Sequence, residues 1–185
     1  MSTIHLCTYQ PHWPLLFHYL RARLWPAVAP HALTIEHVGS TAVPGLTAKP
    51  IIDIDIVVAT PADAQAMRHT LTQIGYHWRG EQGIAGRDAY AQPGGWFHHH
   101  LYVCGADAVA LRNHLCLRDA LRGDQHLRQH YADLKVALSQ IPGITMADYV
   151  AGKSDFIAGI LHHHGFTAAE VTSIHHANRA PAKAD

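Results

Sequence analysis

The chain is poor in several things that would each decide a class. Cysteine is scarce: Cys7, Cys104 and Cys116 stand alone and far apart. Three such residues give neither a disulfide framework nor a paired zinc spacing. They read as small buried apolar side chains of a reduced, cytoplasmic protein. Charge is sparse, at 15% of residues, and balanced, with Lys+Arg and Asp+Glu at 14 each. A broad, non-specific grip on nucleic acid needs a strong basic excess, so that function is excluded, while a small local anion site is not. No apolar run approaches the roughly 20 residues that cross a bilayer, and no membrane partner is expected. Residues 1–7 lack the basic and apolar regions of a signal peptide. Internal repeats and low-complexity linkers are missing too. The 185 residues suit one domain with a full core, expected over 1–172. The Ala-, His- and Lys-rich stretch 173–185 is expected as a disordered tail.

Histidine is what the chain has in excess, 18 in all. Neutral at pH 7, these residues make the protein cationic on acidification. Near neutrality the low net charge weakens self-repulsion and is compatible with a homo-oligomer.

Apolar spacing at Leu16, Phe17, Leu20 and Leu24 predicts a helix over 13–24, opened by Pro14 and ended by Pro26. A strand follows over 33–38, then a loop over 39–49. The strongest strand is 51–58. It sets Ile52, Ile54, Ile56 and Val58 on one side and Ile51, Asp53, Asp55 and Val57 on the other, and its β-branched content places it centrally in a sheet. Pro61 and Gly75 bracket a helix over 61–74. Weaker strand signals at 76–81 and 87–91 flank a glycine-rich turn, and 97–104 is a strand. Helices are predicted over 108–121, 125–138 and 146–161, the last with Val150, Ile157 and Leu161 as one buried stripe. A mixed half followed by a helical half predicts an α+β domain, a mixed sheet with packed helices and a helical C-terminal part.

Chemistry concentrates at Asp53 and Asp55. Two residues apart on a strand, their carboxylates point the same way, about 6–7 Å apart. Among isoleucines, two such like charges repel and are costly to desolvate. A divalent cation resolves that conflict, and Mg²⁺ is commonly held by one or two carboxylates plus substrate phosphates. Solvation at a strand end, or pairing with Arg or Lys, resolves it equally well. Upstream, Gly39 and Ser40 follow a strand. A glycine there allows close backbone approach to a phosphate and the hydroxyl can donate to it, although an ordinary turn uses the same residues.

The combination carries more than its parts. The stretch 35–58, with Gly39-Ser40-Thr41-Ala42-Val43-Pro44-Gly45-Leu46, Lys49-Pro50 and Ile51-Ile52-Asp53-Ile54-Asp55, closely resembles the GrpB family signature. So do Tyr9-x-Pro11-x-Trp13-Pro14, Gly80-Glu81-x-Gly83-Ile84-x-Gly86-Arg87, His99-His100-Leu101-Tyr102-Val103 and Leu117-Arg118-Asp119-x-Leu121-Arg122, over roughly residues 9–160. The resemblance implies a polymerase-beta-like nucleotidyltransferase fold. It implies Gly39 and Ser40 as phosphate holders and Asp53 and Asp55 as Mg²⁺ ligands. The reaction implied is transfer of a nucleoside monophosphate from a nucleoside triphosphate to an unidentified acceptor. Twelve residues separate Ser40 from Asp53, slightly more than in minimal nucleotidyltransferases. The third carboxylate of active members is missing from the strand 97–104, whose polar face carries His98, His100, Tyr102 and Cys104. Either His100 or Tyr102 takes its place, or Glu81 or Asp119 comes in from elsewhere.

Of the remaining candidates, Arg87 can fork two hydrogen bonds to phosphate, and Lys49 can neutralise phosphate or the acid pair; each is also a normal surface residue. His100 is expected in the catalytic cleft with Asp53 and Asp55. Lys135 and Lys153 match the family pattern without a role that the sequence assigns. Three functions remain: a Mg²⁺-dependent nucleotidyltransferase; a degenerate module binding a nucleotide or a coenzyme-A-related ligand, since some family members are fused to dephospho-coenzyme A kinase; and a transition-metal binder using His98 and His100.

Overall fold

The structure, a computed structural model, describes residues 4–179. Its centre is a five-stranded mixed sheet: β1 (Ala32–Val38), β2 (Ile52–Val58), β3 (His77–Trp78), β4 (Arg87–Ala91) and β5 (His99–Gly105), in the order β1-β2-β5-β4-β3. Only β2 and β5 run parallel; the other pairs are antiparallel. β2 is flanked on both sides, as its β-branched run requires, because a strand buried on both faces excludes water from its whole length.

Alternation then sorts the two faces. Ile52, Ile54, Ile56 and Val58 are buried under α1 (Trp13–Val28) and α2 (Pro61–Gln73), against Trp13, Phe17, Leu20, Leu24, Met67 and Leu71. Burying one such side chain is worth roughly 1.5–3 kcal/mol, so a register slip of one residue, which would bring Asp53 and Asp55 under the helices, is strongly disfavoured. The acids therefore emerge on the opposite face. There α3 (Val109–Gly123) crosses β1 and β5, followed by α4 (Gln125–Ser139), α5 (Met146–Ala151), α6 (Ser154–His163) and α7 (Ala168–Arg179). Thr60 caps α2 and Asp124 caps α4 by accepting backbone N–H bonds, and Thr145 with Asp148 forms a reciprocal capping box on α5.

Three expectations are corrected. The helix 13–24 continues past Pro26 to Val28: Pro26 forgoes the N–H bond to Ala22 O, and burial of Leu24 and Val28 holds the last turn in place. The single helix expected over 146–161 is two, broken at Gly152 and Lys153. A Cβ at Gly152 would lie 2.6 Å from Leu138 Cδ2, so α5 packs against α4 only where a side chain is absent. The break also moves the buried position on α5 from Val150 to Tyr149. Finally, the stretch after Thr172 is helical as far as Arg179, because Val171 and Ile174 pack on Ile157, Leu161 and Phe166, and His175 Nε2 lies 2.8 Å from Asp155 Oδ1. The rest of the expected tail, 180–185, lies outside the described residues. Among the described residues no helix is long and apolar enough to cross a membrane.

Candidate functional site

The Gly39–Ser40 turn is built around β2. Gly39 has φ 70°, and a Cβ there would sit 2.1 Å from Asp53 Oδ2. Any side chain at 39 would collide with that carboxylate and strain the backbone. This glycine thus makes room for Asp53, where the sequence suggested room for a phosphate. Ser40 to Ala42 form a single 3₁₀ turn. Beneath it His37 stacks on Phe17, with ring centroids 4.6 Å apart, and shares a 3.1 Å hydrogen bond between its Nε2 and Thr41 Oγ1. Thr41 Oγ1 in turn donates to Ile51 O, 3.1 Å away, tying the turn to the start of β2. Burial holds His37 down at about 4, with Arg122 and Arg118 adding to the effect against the pull of Asp53, so its ring is neutral at pH 7.

Both acids are already engaged. His100 lies opposite Asp53 in the β2–β5 register, and its Nδ1 is 2.8 Å from Asp53 Oδ1. Burial pushes the Asp53 carboxyl up, but the hydrogen bond and charge of His100, with His114 and Lys49, outweigh it and hold the carboxyl below its usual value. Asp55 has no solvent exposure; its Oδ2 lies 2.7 Å from His114 Nδ1, a residue of α3. Its Oδ1 is buried without a hydrogen-bond partner among the described residues.

Around Asp53 opens a cavity of about 260 Å³. Its lining includes Ser40, Lys49, His100, His114, Lys135 and Lys153. Among the described residues Asp53 is the one carboxylate in that lining, and Asp55 is not part of it. Lys135 is 2% exposed and donates to Ser40 Oγ at 3.0 Å and to Thr47 O. Burial, then the neighbouring Lys153 charge, lowers its ammonium to about 7, against the opposing pull of Asp53. Lys153 is lowered to about 8 by burial and by Lys49. Lys49 also points its Nζ at Met146 Sδ, 3.6 Å away. Arg118 lines the cavity too, but its charge is spent on Glu36 at 2.9 Å and Asp119 at 2.7 Å.

The expected site residues therefore divide. Gly39, Ser40, Lys49, Asp53 and His100 come together on the cavity; Asp55 lies behind it. Arg87 does not join them. It sits on β4 opposite Cys104, with its guanidinium 4.3 Å over the Tyr102 ring and outside the cavity lining. Neither expected source of a third acid arrives: Glu81 Oε1 accepts from Gly86 N, and Asp119 pairs with Arg118 and Arg122. His114, 59 residues from Asp55, was not singled out in the sequence; its place next to Arg118 on one helix was the only available signal.

Mg²⁺ prefers several oxygen donors in near-octahedral geometry. As arranged, these residues do not offer that. Each acid already holds an imidazole, the position facing Asp53 on β5 is a histidine, and Asp55 does not reach the cavity. Among the described residues no group of three or more His, Cys, Asp or Glu side chains is placed to hold a metal ion. Among the described residues, Asp55 Oδ1 and, in the cavity lining, Asn113 Oδ1 are buried acceptors without a partner that a cation would satisfy.

Comparison with known proteins agrees with this architecture. A family model described as GrpB protein matches residues 3–163. A UPF0157 protein of Streptomyces coelicolor is 37% identical over 157 residues, covering 85% of this chain and 82% of that protein. UPF0157 protein YqkA of Bacillus subtilis is 31% identical over 154 residues, and there the match spans 83% of this chain but 45% of the longer protein. The crystal structure of conserved protein GrpB from Enterococcus faecalis superposes with a TM-score of 0.75 at 29% identity, over 92% of this chain and 97% of that one. The GLD-2/RNP-8 complex shares the fold alone, with a TM-score of 0.54 at 14% identity over 89% of this chain and 63% of that one. The architecture is thus a nucleotidyltransferase-like α+β fold, and the chain belongs to the GrpB family.

Proposed function

We propose that the chain binds a nucleotide through its phosphates in the cavity beside Ser40, as a module that needs no turnover to do so. One observation carries this reading. Lys49, Lys135 and Lys153 come from three separate segments and converge on a cavity lined, among the described residues, by one carboxylate, Asp53. Three ammonium groups gathered around one acid leave an excess of positive charge, and burial makes that excess costly until an anion enters. Lys135 and the Ser40 hydroxyl offer N–H and O–H donors on the same wall. A phosphate chain supplies several anionic acceptors in a row and matches them.

Calorimetric titration with tripolyphosphate and with ATP tests this. Both are expected to bind, and Lys135→Met or Lys153→Met is expected to weaken both by about tenfold or more, as loss of a buried charged hydrogen bond does. Absence of binding to the folded wild type would refute it.

A second reading, Mg²⁺-dependent nucleotidyl transfer to an acceptor, is favoured by the unpartnered Asp55 Oδ1. It requires Asp53 and Asp55 to release their histidines. Pyrophosphate release from a nucleoside triphosphate with Mg²⁺, lost in Asp53→Asn, would establish transfer over binding alone.

A further inference from the structure

The lysines explain an anion, but they leave the two aspartate–histidine pairs unexplained. His100 and His114 reach the cavity from β5 and α3, and each sets Nδ1 against a carboxylate, at 2.8 Å and 2.7 Å. An ionised carboxylate only accepts hydrogen bonds. At 2.8 Å from a carboxylate oxygen of Asp53, His100 Nδ1 is the donor of that contact and carries its hydrogen. In the neutral ring the lone pair then lies on Nε2, the nitrogen that the carboxylate leaves free. The His100 side chain keeps 41% of its exposure and that of His114 keeps 22%. An orienting carboxylate behind a histidine fixes which nitrogen meets the ligand.

Donors and acceptors are thereby segregated in the cavity. In their charged forms, which a bound anion favours, the lysines offer only donors. The histidine side offers a lone pair, which a fully ionised phosphate cannot satisfy because it has no hydrogen to give. A hydroxyl can. We propose that His100 Nε2 accepts a hydrogen bond from a hydroxyl of a ligand whose phosphates lie on Lys49, Lys135 and Lys153. The ligand class is therefore a phosphorylated molecule that also carries free hydroxyls, as a ribonucleotide does. Asp53 is a positioning residue that acts through His100. This rests on the phosphate reading above and narrows it.

The experiment compares tripolyphosphate, ATP and 2′,3′-dideoxy-ATP by calorimetry, without Mg²⁺ and with EDTA. ATP is expected to bind about tenfold more tightly than the dideoxy analogue, the usual worth of one well-placed hydrogen bond. His100→Phe should erase that difference, with tripolyphosphate still binding and a cooperative thermal transition showing that the variant is folded. Asp53→Asn should likewise erase it. It should also shift the imidazole nitrogen NMR signals of His100 away from the pattern of a ring protonated at Nδ1, which a merely structural role for Asp53 would not do. If tripolyphosphate does not bind, the phosphate reading itself fails. If it binds but ATP and its dideoxy analogue bind alike, or if Asp53→Asn leaves the tautomer in place, the phosphate reading stands and this inference is overturned.

Discussion

Binding of a polyphosphate should draw protons from solution, and the amount can be worked out. Lys135 is held at about 7 by burial and by Lys153, and Lys153 at about 8 by burial and by Lys49. At a pH of about 7.5, the first is then about one-quarter protonated and the second about three-quarters. An anion seated against both ammonium groups favours their charged forms and raises both values. With both fully charged in the complex, uptake is on the order of one proton per anion bound. The same reasoning gives almost none near pH 6, where both lysines are already charged, and close to two near pH 9.5, where both begin neutral. Affinity must therefore fall as pH rises through the window from 7 to 8, because each added pH unit removes charge that the complex requires. The assay is tripolyphosphate titration in buffers of different ionisation enthalpy at one pH; the slope of observed heat against buffer enthalpy counts the protons. Lys135→Met should reduce the count at pH 7.5 to about a quarter, the share left to Lys153. Clear binding with a slope of zero at pH 7.5, or a wild-type slope in Lys135→Met, would refute the reasoning.

Other consequences follow from single contacts. His37 is held near 4 in the fold against an ordinary value of 6.5, so the unfolded chain takes up its proton first. Stability should fall as pH drops from 6.5 towards 4, by at most about 1.4 kcal/mol per pH unit from this residue, and should level off below that. Urea unfolding at pH 7 and pH 5 should show a smaller pH effect in His37→Gln than in the wild type; an equal effect would assign the acid sensitivity to other histidines. Gly39→Ala should cost roughly 2–4 kcal/mol, from the positive φ and the clash with Asp53 Oδ2. Thermal unfolding of Gly39→Ala with Asp53→Ala should recover part of that loss, and strict additivity would deny the contact. Gly152→Ala should cost no more than about 1 kcal/mol, because the added methyl meets Leu138 Cδ2, the movable end of a side chain. Adding Leu138→Ala should reduce that increment; an unchanged increment would mean that the cost lies in the backbone.

Much of the fold was legible because it obeys local periodicity. The alternation along 51–58 selected one face for the core, and the structure buries Ile52, Ile54 and Ile56 on it while turning Asp53 and Asp55 the other way. Five strands and the main helices fell close to their expected places for the same reason. The errors came where a distant neighbour overrode the local pattern. The apparently continuous helix over 146–161 breaks at Gly152, where Leu138 of α4 packs in place of a side chain, and α7 extends past Thr172 because Ile174 finds an apolar partner on α6.

By itself the sequence determined the acid pair, the turn before it and the strand that aims the acids away from the core, since each depends on neighbours a few residues off. Only the tertiary structure decided what those acids do. His100 reaches Asp53 from 47 residues away and His114 reaches Asp55 from 59, while Lys135 crosses 95 residues to Ser40. No periodicity encodes such meetings. They arise when β5 docks parallel to β2, α3 folds over the open face and α4 packs against α3, and that packing places imidazoles against the carboxylates and gathers the lysines around the cavity.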